Sequence, residues 1–149
     1  MLWGIDLGGT KIEGVILPCD GSHEPLVRTR IPTEAEGGYA HIVSRIQALV
    51  KLMGREVGQR PPTRIGIGTP GAVEPSTGLM KNCNTTVLNG MPLLSDLSRD
   101  LSVDIVMAND ANCFALAEAT LGSAKGYPTV FGVIMGTGCG GGLCLQGNV

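Results

Sequence analysis

The sequence predicts an α/β fold in which three antiparallel strands are followed by alternating helix and strand. Three observations carry this. Two apolar runs flank a Gly-Gly turn within the first seventeen residues. An apolar stripe at helical spacing runs from Ile42 to Met53. Beyond it, short apolar strands alternate with two more helical segments, and the chain reaches a second strand–glycine–strand unit over 129–146.

Composition fits this reading and excludes several functions. A chain of 149 residues suits one domain, or a domain plus part of a second. Hydrophobic residues make up 43% and charged residues 16%, which is globular rather than disordered. A net charge of −2 offers no basic footprint for nucleic acid or an anionic membrane, and no apolar run is long enough to span a bilayer. The five cysteines are odd in number and show no Cys-x-x-Cys spacing. Free thiols in a reducing cytoplasm are therefore expected, rather than a disulfide framework or a zinc knuckle. His23 and His41 lack a partner at metal-ligand spacing and are assigned structural roles.

Residues 2–7 and 11–17 read as strands one and two, and 26–33 as a third, edge-like strand in which Arg28 and Arg30 alternate with Val27 and Ile31. Together they should form a meander. Gly37-Gly38 precedes an amphipathic helix over about 38–57, which Arg60-Pro61-Pro62 ends. A strand at 64–68 runs into Thr69-Pro70-Gly71, a rigid loop suited to facing a ligand. Residues 72–92 are irregular, with a small hairpin over 73–80. A helix follows over 92–101, then a strand at 103–108 and an alanine-rich helix that ends at Gly122. After a link at Tyr127-Pro128, a strand at 129–135 leads into a glycine turn over 136–142 and a strand over 143–146.

Several residues invite chemistry. Asp6 lies two positions before the Gly8-Gly9 turn on a strand expected to be buried, where a carboxylate needs a partner or a metal. Gly8-Gly9 permits positive φ and a close approach to a ligand, and the N–H groups of such a turn can converge on an anion. An ordinary hairpin is the alternative reading. Asn82, Asn84, Thr85, Thr86 and Asn89 form a cluster of uncharged donors and acceptors that suits sugar hydroxyls, or equally a polar surface loop. Asp110, at a strand-to-helix junction, reads from local sequence as an N-cap. The second glycine unit suggests a second half-site gripping a phosphate chain.

Asp6-Leu7-Gly8-Gly9-Thr10-Lys11, Gly66-Ile67-Gly68-Thr69-Pro70-Gly71, Asn109-Asp110-Ala111-Asn112 and Gly136-Thr137-Gly138-Cys139-Gly140 together resemble the ROK family of bacterial sugar kinases and repressors, in order and spacing along the whole chain. The segment 81–93 looks most like the fructokinase-type members, which usually carry an aromatic where this chain has Val87. The resemblance implies an actin-like, ribonuclease-H-like ATPase domain with a mixed five-stranded sheet, over residues 1–122, followed by the beginning of a second lobe at 123–149. In the family the active site lies between the lobes. The family's downstream Glu-Gly-His segment and cysteine-rich zinc motif are not among these residues, so the chain resembles the N-terminal part of a longer kinase and structural zinc would belong to the missing part.

The resemblance further implies transfer of the ATP γ-phosphoryl group to a hexose hydroxyl. Asp110 is then the catalytic base. Gly8, Gly9, Thr10 and Lys11 form the first phosphate loop, Gly136, Thr137 and Gly138 the second, and Asp6 lies near Mg²⁺. Gly71, Asn84 and Asn109 help to hold the sugar. Alternatives are a sugar-responsive transcriptional regulator, or a kinase for glucose, mannose, allose or N-acetylglucosamine. The absence of a basic helix pair before Leu2 argues against the regulator. The fragment alone is expected to be inactive or nearly so, and its exposed strand at 130–135 offers a route to a homodimer.

Overall fold

The computed structural model describes residues 1–135 and 139–149. Contacts divide the chain into two compact units, Met1–Met107 and Ala108–Val149.

The first unit is built on a mixed sheet. Strands β1 (Leu2–Leu7), β2 (Lys11–Leu17) and β3 (Val27–Pro32) form the expected antiparallel meander, with Asp6 opposite Glu13 and Glu13 opposite Arg30. Strand β4 (Arg64–Thr69) pairs parallel to β1, and the five-stranded order is β3-β2-β1-β4-β7, where β7 is Asp104–Asn109. A short hairpin of β5 (Ala72–Val73) and β6 (Met80–Lys81) stands apart. Trp3, Ile5, Leu7, Ile12 and Ile16 point to one face of the sheet and are buried. Helix α1 (Tyr39–Val57) contributes Ile42, Val43, Ile46, Leu49, Val50 and Met53 to the same core, the stripe that the sequence spacing specifies. Helix α2 (Leu93–Leu101) adds Leu93 and Leu97. Tyr39 Oη on α1 donates to Asp96 Oδ2 on α2 at 2.6 Å. Burial and that carboxylate push the Tyr39 phenol above its ordinary range.

Helix α1 stops earlier than its prolines require. Gly58 takes φ 69°, and Gln59 N–H donates to Gly54 O at 3.0 Å, which closes the last turn before Arg60 is reached.

The second unit holds α3 (Asp110–Thr120) and a hairpin of β8 (Thr129–Met135) and β9 (Cys139–Leu145). Strand β9 starts four residues before the expected Leu143, so Gly140, Gly141 and Gly142 are strand and not turn. The reason is packing. A Cβ on Gly142 would collide with the backbone of Ala111 and Asn112, because β9 lies against the first turn of α3 with no side chain between them. Val130, Cys144 and Ala115 form the buried centre of this unit.

Candidate ligand-binding loops and a capped carboxylate

Three loops of the first unit meet. The Gly8–Thr10 turn joins β1 to β2 and closes with Gly8 N–H donating to Lys11 O at 3.0 Å. Neither Gly8 nor Gly9 has a positive φ, against expectation. They are small for a steric reason instead. A Cβ on Gly8 would lie 2.9 Å from Lys11 O, and one on Gly9 would lie 3.1 Å from Thr85 Oγ1. The glycine turn therefore rests against the Asn84–Thr86 loop. Thr10 and Lys11 are exposed beside it.

The second loop, Thr69–Gly71, leaves β4. Gly71 is buried, and a Cβ there would overlap Lys81 O and Cys83 Sγ, so this loop is laid on the strand that leads to Asn84. Thr69 Oγ1 donates to Gly71 O at 3.0 Å.

The third loop carries Asn84, which is exposed. Its base is closed by Met80 N–H donating to Met91 O and by Gly90 N–H donating to Met80 O. Asn89 closes it a second time: its Oδ1 accepts from Cys83 N–H at 2.8 Å and its Nδ2 donates to Cys83 O at 3.1 Å. The amide of Asn89 is thus occupied by the loop itself. Burial pushes the Cys83 thiol up, which suits an inert packing residue.

Asp6 is exposed, contrary to the expectation of a buried strand end. Strand β1 is apolar on one face only, and Asp6 projects from the other, between Glu13 of β2 and Gly68 of β4. Glu13 is engaged elsewhere, by Arg28 Nε at 2.6 Å and by Arg30. Those hydrogen bonds, Arg30's first, hold its carboxyl below the usual value of 4.5 against the opposing effect of burial. Among the described residues no three His, Cys, Asp or Glu gather into a metal cluster. Mg²⁺ bound through phosphate and water needs one or two carboxylates, and a strand-end aspartate beside a side-chain-free glycine meets that requirement.

In the second unit the N-cap of α3 is Asn109, not Asp110. Asn109 Oδ1 accepts from Ala111 N–H at 3.1 Å and from Asn112 N–H at 3.4 Å. Asp110 is the first helical residue, and its Oδ1 accepts from Ala111 N–H at 2.7 Å. Its carboxylate is exposed. Gly136, Thr137 and Gly138, expected to form the second phosphate loop, lie outside the described residues.

Two threonines to which the sequence assigns no individual role take part as well, although Thr69 lies in the loop expected to face a ligand. Thr33, fully buried after β3, ties both ends of the first turn: its Oγ1 donates to Gly8 O at 2.7 Å and its N–H to Thr10 O at 3.0 Å. Thr69 plays the corresponding part for Gly71.

The profile of the ROK family matches residues 2–149. This chain belongs to the ROK family. An N-acetyl-D-glucosamine kinase of Haemophilus influenzae is 40% identical over 149 residues, covering 100% of this chain and 47% of that protein. Among solved structures, the ROK hexokinase of Thermus thermophilus superposes with a TM-score of 0.80 at 33% identity, over 98% of this chain and 47% of that one. A ROK glucokinase of Streptomyces griseus, in complex with glucose and AMPPNP, gives 0.83 at 26% identity over 98% and 45%. The ROK chain described here thus spans about half the length of the curated relatives it matches. Its fold is the actin-like ATPase fold of these relatives, with the mixed five-stranded sheet expected for it. The fructokinase-type reading of 81–93 finds no support among them, since they are named for N-acetylglucosamine, glucose or hexoses. Val87, where that type carries an aromatic, is 40% exposed in a single helical turn (Thr86–Leu88).

Proposed function

We propose that the ROK protein to which this chain belongs is a cytoplasmic, ATP-dependent hexose kinase, with N-acetylglucosamine and glucose ahead of fructose as acceptors. The observation that carries this reading is the contact of Gly9 with Thr85, which sets a phosphate-type glycine turn against an amide- and hydroxyl-rich loop. The names of the relatives support it.

In this reading Gly8, Gly9, Thr10 and Lys11 bind the ATP phosphates, as do Gly136, Thr137 and Gly138. Asp6 holds Mg²⁺ or its water shell, and the metal, when bound, neutralises phosphate charge. Gly71, Asn84 and Asn109 position the sugar. Asn109 does so from a fixed side chain, since its carbonyl oxygen is committed to the helix cap. Asp110 orients the attacking hydroxyl and accepts its proton as the oxygen–phosphorus bond forms and ADP leaves. The lobe boundary at residue 122 is part of the same proposal.

The test is an ATP-dependent phosphorylation assay over a hexose panel, with the full-length gene product and with these 149 residues alone. Turnover is expected with N-acetylglucosamine or glucose in the long form, and little or none in the short form. Asp110→Asn should lower kcat about a hundred- to ten-thousand-fold, the range of a lost general base, while the fold is retained. Near-normal turnover in that variant removes Asp110 from the chemistry. Sugar binding without turnover in the wild type moves the reading to a sugar sensor.

A further inference from the structure

We infer that Thr33 and Thr69 are positioning residues, each fixing one loop and so governing the binding of one ligand: Thr33 for the nucleotide, Thr69 for the sugar. The inference rests on the kinase reading for the identity of the two ligands.

Buried polar side chains are rare and are retained where they satisfy a specific partner. Among the described residues, the buried polar or charged ones are Thr33, at 0% exposure, and Thr69, at 1%. Both are threonines at the end of a strand, and both spend their hydroxyl on the carbonyl of a glycine in a candidate ligand loop. A valine has nearly the same shape and costs nothing to bury, so packing alone calls for no hydroxyl at either place. What the hydroxyl adds is a fixed direction for one peptide plane.

The consequences differ between the two. Thr33 grips Gly8 O with its side chain and Thr10 O with its backbone, so the whole three-residue turn is referenced to the end of β3. When Gly8 O is held, the peptide that carries the N–H of Gly9 is held with it, because the two groups share one plane. Nucleotide phosphates would meet that N–H. Thr69 Oγ1 reaches across Pro70 to Gly71 O, and Gly71 lies directly on Lys81 and Cys83. It therefore sets the surface from which the following residue, Asn84, projects. Loss of either hydroxyl loosens a loop that binds in the ground state, which raises KM for one substrate more than it lowers kcat.

The experiment is a pair of steady-state matrices on the full-length protein, for Thr33→Val, Thr33→Ser, Thr69→Val and Thr69→Ser, with each substrate varied at saturation of the other. Thr33→Val should raise the ATP KM about two- to tenfold, the effect of one net hydrogen bond, and leave the sugar KM unchanged. Thr69→Val should do the reverse, and both serine variants should restore wild-type values. Both KM values unchanged, or both raised together, with only the melting temperature lowered, overturns the inference and makes these threonines packing residues. Alanine variants give the same comparison if the valine variants fail to accumulate. Should the wild type bind but not turn over, calorimetric dissociation constants for AMPPNP and sugar must show the same split. A wild type with neither turnover nor binding sinks the kinase reading, and the inference with it.

Discussion

Asn84 and Asn89 look alike in the sequence, five positions apart in one polar cluster. The backbone separates their tasks, for the exposed Asn89 clasps both polar groups of Cys83 across the base of the loop that carries the exposed Asn84. Asn109 and Asp110 are likewise adjacent and interchangeable as caps by type. Helix α3 begins at Asp110, so the cap falls to Asn109 and the acid is released from that duty. Only helix phase decides such a question, and phase at a strand-to-helix junction is not written in the residues themselves. Glu13 was unremarked in the sequence and gathers Arg28 and Arg30 only through strand register. Because its folded carboxyl titrates below 4.5, its stabilisation is whole above that pH and fades as the pH falls through the lower folded value. Glu13→Gln should therefore be less stable than wild type at pH 7, and the deficit should shrink as the pH is lowered below 4.5, in a series of urea melts. A constant difference between the two proteins would mean that the arginines contribute nothing specific.

At the scale of elements, periodicity was a faithful guide wherever side chains alternate or recur. It gave β1 to β3, α1 with all six of its buried residues, and the placement of β4, α2 and β8 to within a residue or two. It failed at β9. Three consecutive glycines carry no apolar rhythm, and the strand is made by its neighbours instead: β8 through the ladder and α3 through contact. The contact can be tested on its own. In Gly142→Ala the new methyl meets backbone that no rotamer change can move, and the variant should lose about 1–3 kcal/mol, the scale of overpacking. In Gly141→Ala the close contact is with the ring of Phe131, which is 67% exposed and can swing away, and Gly132 O stays at an ordinary 3.8 Å, so the cost should stay within about 0.5 kcal/mol. Denaturant midpoints of the two variants make the comparison. Equal midpoints would show that α3 and β9 lie farther apart in solution.

At the scale of the whole molecule, the order of elements and the family were legible, because four short motifs at fixed separations constrain far more than any one of them does. The preferred sugar was not, since a loop's hydrogen-bonding types do not specify which hydroxyls they meet. The two units also differ in kind. The first has a continuous core drawn from the five-stranded sheet, Met80 of the short hairpin and two helices. The second has a small apolar cluster centred on Ala115, Val130 and Cys144, and leaves Phe131 at 67% and Met135 at 82% exposure. Amides of β8 and β9 should exchange with solvent well before those of β1 and β2, since local opening follows the apolar contacts that must be broken. Hydrogen exchange on these 149 residues measures this directly, and equal protection would mean that the hairpin is covered in solution. Within that thin unit, one joint is nevertheless stiff. The first turn of α3 sits on β9 backbone to backbone, with Gly142 as the bearing surface. A bearing of that sort contains no rotamers to average over, so the height of Asp110 above its own strand pair is set like a machined stop, and drift in the surrounding side chains has little purchase on it.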